Sequence, residues 1–284
     1  YWSFIRNIAY ILFLSNVSKG KIIIHIHGGS FYKFYLLSPF KSIIKKTLAK
    51  ANCIIVTSDS WIDVLKKISG HPLVFSVPNG FNDKIFKAMP QHKARAKINI
   101  PIDKKILLSI GSLEAYKGYR FLFESMKKIV NERKDVMLYL IGSGSLRDSF
   151  NEYIKKNDLE DFVVLIEGNK THEEIALWIN ASDVFVLPSL VEGNPTVMFE
   201  SLACGKPFIG TAVGGVPDII FSKNFGLLCK PGDVKDLTEQ IMIGLEKEWD
   251  YEKIVRYSKK FSWSNISIKI MKIYKNTLDG NLKG

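Results

Sequence analysis

The chain has 284 residues, 46% of them hydrophobic and 24% charged, which suits one large core or two modest ones and excludes a low-complexity chain. No span reaches the roughly 18 apolar residues of a membrane-crossing helix. The net charge of +12 carries no nucleic-acid motif, and Cys53, Cys204 and Cys229 read as reduced, buried thiols of a cytosolic protein, with no zinc spacing.

From the N-terminus, the pattern predicts a helix over about 3–15, whose apolar run 8–14 is short and preceded by Arg6 and Asn7. The following SNVSKGK offers no small-residue cleavage pattern, so this is expected to be an ordinary buried helix rather than a signal peptide. A strand at 21–26, a helix over 39–50, a strand at 53–57, a helix from Ser60 and a strand at 73–77 follow. Such alternation indicates a parallel sheet with crossover helices, and a first unit spanning 1–88. His25 and His27 alternate along the first strand and are expected on opposite faces; His27 precedes Gly28 and Gly29 at the strand's C-terminal end. Lys33, Lys41, Lys45, Lys46 and Lys50 stand beside Phe31, Tyr32, Phe34, Tyr35, Leu36 and Leu37. Two readings stay open for them: a contact with anionic lipid headgroups, or a solvated helix face over core aromatics. Asn79-Gly80 after Pro78 signals a turn and is assigned no catalysis.

The polar stretch 89–104 reads as an interdomain linker. A second unit over 105–262 begins with the strand Lys105–Ile110 and a helix over 117–131. Then come the strand Val136–Ile141, a helix from Ser145, the strand Val163–Ile166 and the helix His172–Ala181. The strand Val184–Leu187, a helix around Glu200, a strand at 207–210 and helices over 233–246 and 251–260 follow. A last helix, within 263–284, alternates apolar and basic residues. The fold class is α/β, with two doubly wound units facing across a cleft and ligands at the C-terminal ends of the strands.

The segment from Asp183 to Gly215 carries the chemistry. After the strand that ends at Leu187, a loop holds Glu192 and Gly193, then Asn194 as a helix N-cap and Pro195 at the first helical position. Thr196 and Glu200 share one face of that helix. Free N–H groups at a helix start, near Thr196 and Val197, suit a diphosphate, and a carboxylate beside them suits sugar or ribose hydroxyls. Glutamates eight apart recur at Glu124/Glu132 and Glu152/Glu160, in polar helical stretches that are most simply solvated faces. Only Glu192/Glu200 straddles a strand–loop–helix junction.

Pro188, Ser189, Glu192, Gly193, Pro195, Glu200, Gly205 and Pro207 resemble the E-x7-E segment of the retaining glycosyltransferases of family 4, and TAVGGVPDII resembles the block that follows it there. The resemblance runs from about Lys21 to the C-terminus. It implies the GT-B fold, Glu200 on the nucleotide ribose, Glu192 on the donor sugar, and a C-terminal helix crossing back onto the first unit. GSLEAYKG resembles the family's G-R-L-x-x-x-KG, with Gly111 at the turn, Lys117 on the diphosphate and Ser112 in place of the arginine. His27 resembles the family's first-domain histidine that contacts the donor sugar. Gly142 and Gly144 match its second G-x-G, a tight turn rather than a phosphate loop. His25, His71, His92 and His172 have no such support.

Against the family, the first unit is short. No glycine precedes Gly20 and only three strands can be assigned, so it is expected to be incomplete, a fragment or a reduced domain. With no D-x-D in the chain, no metal and no cofactor are expected beyond the nucleotide-sugar donor. The resulting expectation is a cytoplasmic transferase, with the inner membrane face as the place of any lipid contact. It would act on a glycan or lipid-linked acceptor of cell-surface polysaccharide or glycolipid synthesis, with no nucleic-acid partner. Two rivals remain: a degenerate binding partner that keeps the fold, and a glycoside hydrolase using Glu192 and Glu200.

Overall fold

The computed structural model describes residues 2–281 apart from 18, 30 and 72, and the side chains from Arg6 onward apart from Tyr32. The first unit runs α1 (Trp2–Val17), β1 (Ile23–Ile26), α2 (Phe31–Leu37), α3 (Lys41–Leu48), β2 (Cys53–Val56), α4 (Ser60–Ser69) and β3 (Val74–Ser76). Its sheet is parallel, ordered β1-β2-β3. The CIIV of β2 is buried throughout because both faces of the sheet are covered. Ile54 and Val56 face the core shared with α3 and α4, while Ile55 faces the opposite side, as a period of two requires.

Two expectations change here. The helix over 39–50 is preceded by a separate helix, α2, with Ser38–Phe40 between them. FYKFYLL has one charged residue, Lys33, among aromatic and aliphatic ones, so it shows no polar face from which a helical period could be read. Nor is α1 a buried helix: Ile8 and Ile11 pack on the first core, whereas Tyr10, Phe13, Leu14 and Val17 are exposed.

The second unit opens with α5 (Gln91–Ile98), inside the stretch read as a linker. It packs on a later helix, α8, and its buried Arg95 ties it down. The Arg95 guanidinium donates to the carbonyls of Ala181, Pro101, Ile102 and Lys104 and to Asp183 Oδ2 at 2.7 Å. Next come β4 (Lys105–Ile110), a 3-10 turn at Ala115–Lys117, α6 (Tyr119–Glu132), β5 (Val136–Ile141), α7 (Arg147–Lys156) and β6 (Val163–Ile166). The chain continues with α8 (His172–Ala181), β7 (Val184–Leu187), α9 (Thr196–Ala203), β8 (Phe208–Thr211), α10 (Val216–Ile219) and β9 (Gly226–Cys229). It ends with α11 (Val234–Glu246), α12 (Tyr251–Ser258) and α13 (Trp263–Leu278). The short α10 and β9 are elements the sequence pattern did not announce.

This sheet is parallel and ordered β6-β5-β4-β7-β8-β9. The strand order reverses between β4 and β7, so the crevice of a doubly wound sheet opens at their C-terminal ends. The backbone passes between the units at neighbouring points. Phe81 N–H donates to Phe261 O, and Trp263 N–H returns a bond to Phe81 O. From there α13 lies back on the first sheet, placing Ile266, Ile270, Ile273 and Tyr274 against Ile23, Ile55 and Val77. The three cysteines are buried and free.

Candidate functional site

The switch point brings together the loops after β4 and β7, as the motif reading requires. Lys117 Nζ donates to Glu192 Oε1 at 2.7 Å, with both side chains mostly buried. Ser189 Oγ donates to the same oxygen at 2.7 Å, and Thr211 Oγ1 bonds the Ser189 carbonyl beneath it. Lys117 does not start a helix. It closes the 3-10 turn, followed by Gly118 at φ 69°. A Cβ at Gly118 would overlap the Pro188 carbonyl, so glycine lets the Lys117 turn lie against the Glu192 loop. An ammonium has three donors, and Glu192 uses one of Lys117's. Gly111 N–H bonds the Ile141 carbonyl at the strand end, and the Ser112 hydroxyl pairs with Tyr116 Oη at 2.9 Å.

Glu200 stands apart from this network. Its carboxylate has no hydrogen bond or ion pair with the described residues, and burial alone pushes it up to about 7. The start of α9, one turn earlier, also lacks a side-chain cap. Here the structure corrects the motif reading, because the N-cap is Pro195 and the Asn194 side chain is turned away. Asn194 Oδ1 accepts from Asn79 N–H at 2.8 Å, and the Asn194 carbonyl accepts from Asn79 Nδ2 at 2.6 Å. Thr196 is exposed and Val197 half-buried, so the helix start faces open space with its first N–H groups uncapped.

The first unit meets the second at all three of its strand ends, and the donor loop at two of them. After β1, the His27–Gly29 turn touches the Glu192–Gly193 loop. A Cβ at Gly29 would overlap the Glu192 carbonyl, and one at Gly193 would stand 2.9 Å from the His27 carbonyl. After β2, the N–H groups of Asp59 and Ser60 donate to Asp218 Oδ2 at 2.9 and 3.4 Å. After β3 comes the Asn79–Asn194 contact. His25 and His27 lie on one face, their rings stacked 5.9 Å apart, because residues two apart on a strand share a face. The expectation of opposite faces miscounted that period. His25 Nε2 pairs with Tyr274 Oη at 3.0 Å, and burial followed by His27 lowers its pKa.

Sequence reasoning gave Ser189, Asn79 and Asp218 no role. Ser189 and Asn79 carried a signal, since each sits in a turn motif at a strand end. Asp218 stood inside the matched TAVGGVPDII block, but nothing there pointed to its partners at the start of α4. The glutamate pairs set aside as solvated faces are so placed: Glu132, Glu152 and Glu160 are exposed and Glu124 pairs with Arg120 on α6. Among the described residues no group of three His, Cys, Asp or Glu side chains could hold a metal ion, and no helix is long and apolar enough to cross a membrane.

Two parallel α/β units, a closing helix on the first sheet and a ligand-ready crevice on the second define a GT-B architecture. Sucrose-phosphate synthase of Thermosynechococcus elongatus superposes with a TM-score of 0.79 at 26% identity, covering 94% of this chain and 70% of that one. Anabaena HepE in complex with UDP gives a TM-score of 0.80 at 19% identity, over 95% of this chain and 76% of that one. Residues 90–261 match the family described as glycosyl transferases group 1, and the chain belongs to that family. It is 25% identical over 229 residues to N-acetyl-alpha-D-glucosaminyl L-malate synthase of Bacillus anthracis, covering 80% of this chain and 59% of that protein. It is 26% identical over 251 residues to the amylovoran biosynthesis glycosyltransferase AmsK of Erwinia amylovora, covering 84% of this chain and 58% of the other. The chain thus spans less than two thirds of these curated relatives' length.

Proposed function

We propose that the chain is the donor-binding part of a retaining glycosyltransferase of the family 4 type. It would move a sugar from a nucleotide-diphosphate sugar to a glycan or lipid-linked acceptor in cell-surface polysaccharide or glycolipid synthesis. One observation carries the reading. An uncapped helix start, an unpartnered carboxylate a turn deeper and the Lys117–Glu192 pair converge at the switch point of a parallel sheet. In this reading Glu200 accepts from the ribose hydroxyls, and Gly193, Thr196, Val197 and the α9 N–H groups meet the phosphates. Lys117 neutralises the leaving diphosphate with help from the Gly111–Ser112 turn. Glu192, held by Lys117 and Ser189, contacts the sugar, and His27 approaches it from the first unit.

The bond from the anomeric carbon to the diphosphate oxygen breaks, and the acceptor oxygen bonds the same face of that carbon. The departing diphosphate takes the acceptor's proton, so no protein nucleophile is needed. Lys117 and the helix start supply the positive charge, and transfer is proposed to survive a chelator.

The basic face of the first unit supports a peripheral membrane contact. Residues 1–88 hold twelve Lys or Arg against three Asp. Lys33, Lys41, Lys45, Lys46 and Lys50 are exposed beside exposed Leu36, Leu37 and Phe40. Phe31 belongs to the core and Phe34 and Tyr35 pack against it, so only part of the segment faces outward. The side chain of Tyr32 lies outside the described residues.

A panel of nucleoside diphosphates and nucleotide sugars, screened by thermal shift and confirmed by calorimetry, tests the donor site. One nucleoside diphosphate is expected to bind and its sugar conjugate to bind as well. Silence across the panel in a folded protein, or sugar release from a simple glycoside without nucleotide, would overturn the reading.

A further inference from the structure

Asn79 lies in the turn after β3, on the first unit, yet its polar groups are spent on the donor loop of the second. Its N–H fixes the Asn194 side chain and its Nδ2 fixes the Asn194 carbonyl, at 2.8 and 2.6 Å. Asn194 is only 4% exposed and is the residue through which Glu192 and Gly193 lead into α9. One residue therefore holds Asn194 at two points, its backbone N–H on the side chain and its Nδ2 on the carbonyl, and only the second bond is lost when the Asn79 side chain is removed.

The geometry also carries a cost. Only an oxygen can meet the Asn79 N–H, so Asn194 must turn its Nδ2 inward, where it has no partner among the described residues. A Cβ at Gly215 would stand 2.7 Å from that nitrogen, which leaves it pressed against the Gly214–Gly215 turn. A buried, unpaired donor opposes stability. A contact kept in spite of it is one that fixes position.

We propose that Asn79 is a positioning residue for the donor. It holds residues 192–196 so that the α9 start faces the diphosphate, and it ties that geometry to the first unit. The proposal rests on the donor-site reading above. Asp218 is the natural control, since it joins the same two units through Asp59 and Ser60 without touching the donor loop.

The test pairs hydrogen exchange of the unliganded protein with calorimetry, using the uridine, guanosine and adenosine diphosphates as probes. Asn79→Ala is expected to speed exchange over 194–200 by about tenfold while α4 and the second-unit core keep their protection. It is expected to weaken the diphosphate that binds by about tenfold as well. Asn79→Asp fills the same space and keeps the backbone N–H, but sets an oxygen against the Asn194 carbonyl, so it is expected to match or exceed Asn79→Ala. A mere space-filling role would leave it silent. Asp218→Ala is expected to speed exchange near 58–62 and to leave both 194–200 and the affinity within about twofold. The proposal falls if 194–200 exchange unchanged in both Asn79 variants, or if Asp218→Ala disturbs them equally. If no diphosphate binds the unaltered protein, the donor reading falls, and the exchange arm alone decides whether Asn79 positions the loop.

Discussion

Replacing Glu200 with glutamine is expected to make the unliganded protein more stable and worse at holding a nucleotide. Burial raises this carboxyl from its ordinary 4.5 to about 7, and no partner offsets the cost. Below pH 4.5 the group is protonated folded or unfolded and contributes nothing. As pH rises from there, the unfolded chain ionises first, stability falls, and above pH 7 the loss is complete. At about 1.4 kcal/mol per pH unit, the span from 4.5 to about 7 is worth about 3 kcal/mol. For a chain of this size, where each kcal/mol moves Tm by roughly 2–4 °C, Glu200→Gln should gain up to about 10 °C at pH 8 and nothing at pH 4. Nucleoside diphosphate affinity should fall about tenfold or more, since an amide replaces the ionised acceptor of the ribose hydroxyls. In the unaltered protein, affinity should rise with pH up to about 7, as Glu200 ionises. The variant, measured alongside, removes the titration of the phosphates themselves from the comparison. Scanning calorimetry at the two pH values and titration calorimetry check both halves. A variant equally stabilised at pH 4 and 8, or unchanged in affinity, would refute the reasoning.

Lys117→Ala should weaken nucleoside diphosphate binding about tenfold, and Ser112→Arg should strengthen it by up to about tenfold, because a guanidinium can bond two phosphate oxygens at once. Calorimetry with the parent nucleoside is the check, since both effects should vanish without phosphates. Glu192→Gln should spare the diphosphate and cost sugar-dependent affinity or turnover; an equal loss for both ligands would reject the division of roles with Glu200. Arg95→Met should destabilise the second unit by about 3–5 kcal/mol, because Asp183 is left mostly buried without its partner; an unchanged denaturation midpoint would contradict it. Binding to anionic vesicles should fall as salt shortens the Debye length below about 10 Å, and neutral vesicles should bind little.

Most of the second unit could be read in advance for one physical reason. Its strands Lys105–Ile110, Val136–Ile141 and Val184–Leu187 are largely buried and the edge strand Val163–Ile166 partly so; each leaves a mostly apolar run between polar helices, and each lies where it was expected. The GT-B arrangement followed from the same runs once the E-x7-E segment named a family. Features that depend on pairing across long separations left no such trace. Nothing periodic in the sequence marks Asp218 as the cap of a helix 158 residues earlier, or Asn194 as a partner of Asn79 rather than a cap. Local rules favoured the cap, since Asn before a proline is a good helix start. The tertiary contact is made instead: Asn194 Oδ1 accepts from the Asn79 N–H at 2.8 Å, and the helix start is left without a side-chain cap.

Three unfavourable features meet within residues 194–200: an unpaired buried amide, a helix start without a cap and a largely desolvated carboxylate without a partner among the described residues. In a purely structural segment each would be removable by one substitution with a gain in stability. On the proposed donor reading, one kind of ligand answers two of them: a diphosphate would supply acceptors to the α9 start, and a ribose would supply donors to Glu200. On the same proposal, the third follows from holding Asn194 where Asn79 holds it. Ligand stabilisation should then depend on pH in a particular way. The gain in Tm from a saturating nucleoside diphosphate should be larger at pH 8, where unliganded Glu200 bears an unsatisfied charge, than at pH 5.5, where it is protonated. Glu200→Gln should lose most of this pH dependence while Asn79→Ala keeps it, because only the first removes the titrating group. A gain that depends on pH to the same extent in both variants would mean that the carboxyl charge is not what the nucleotide relieves.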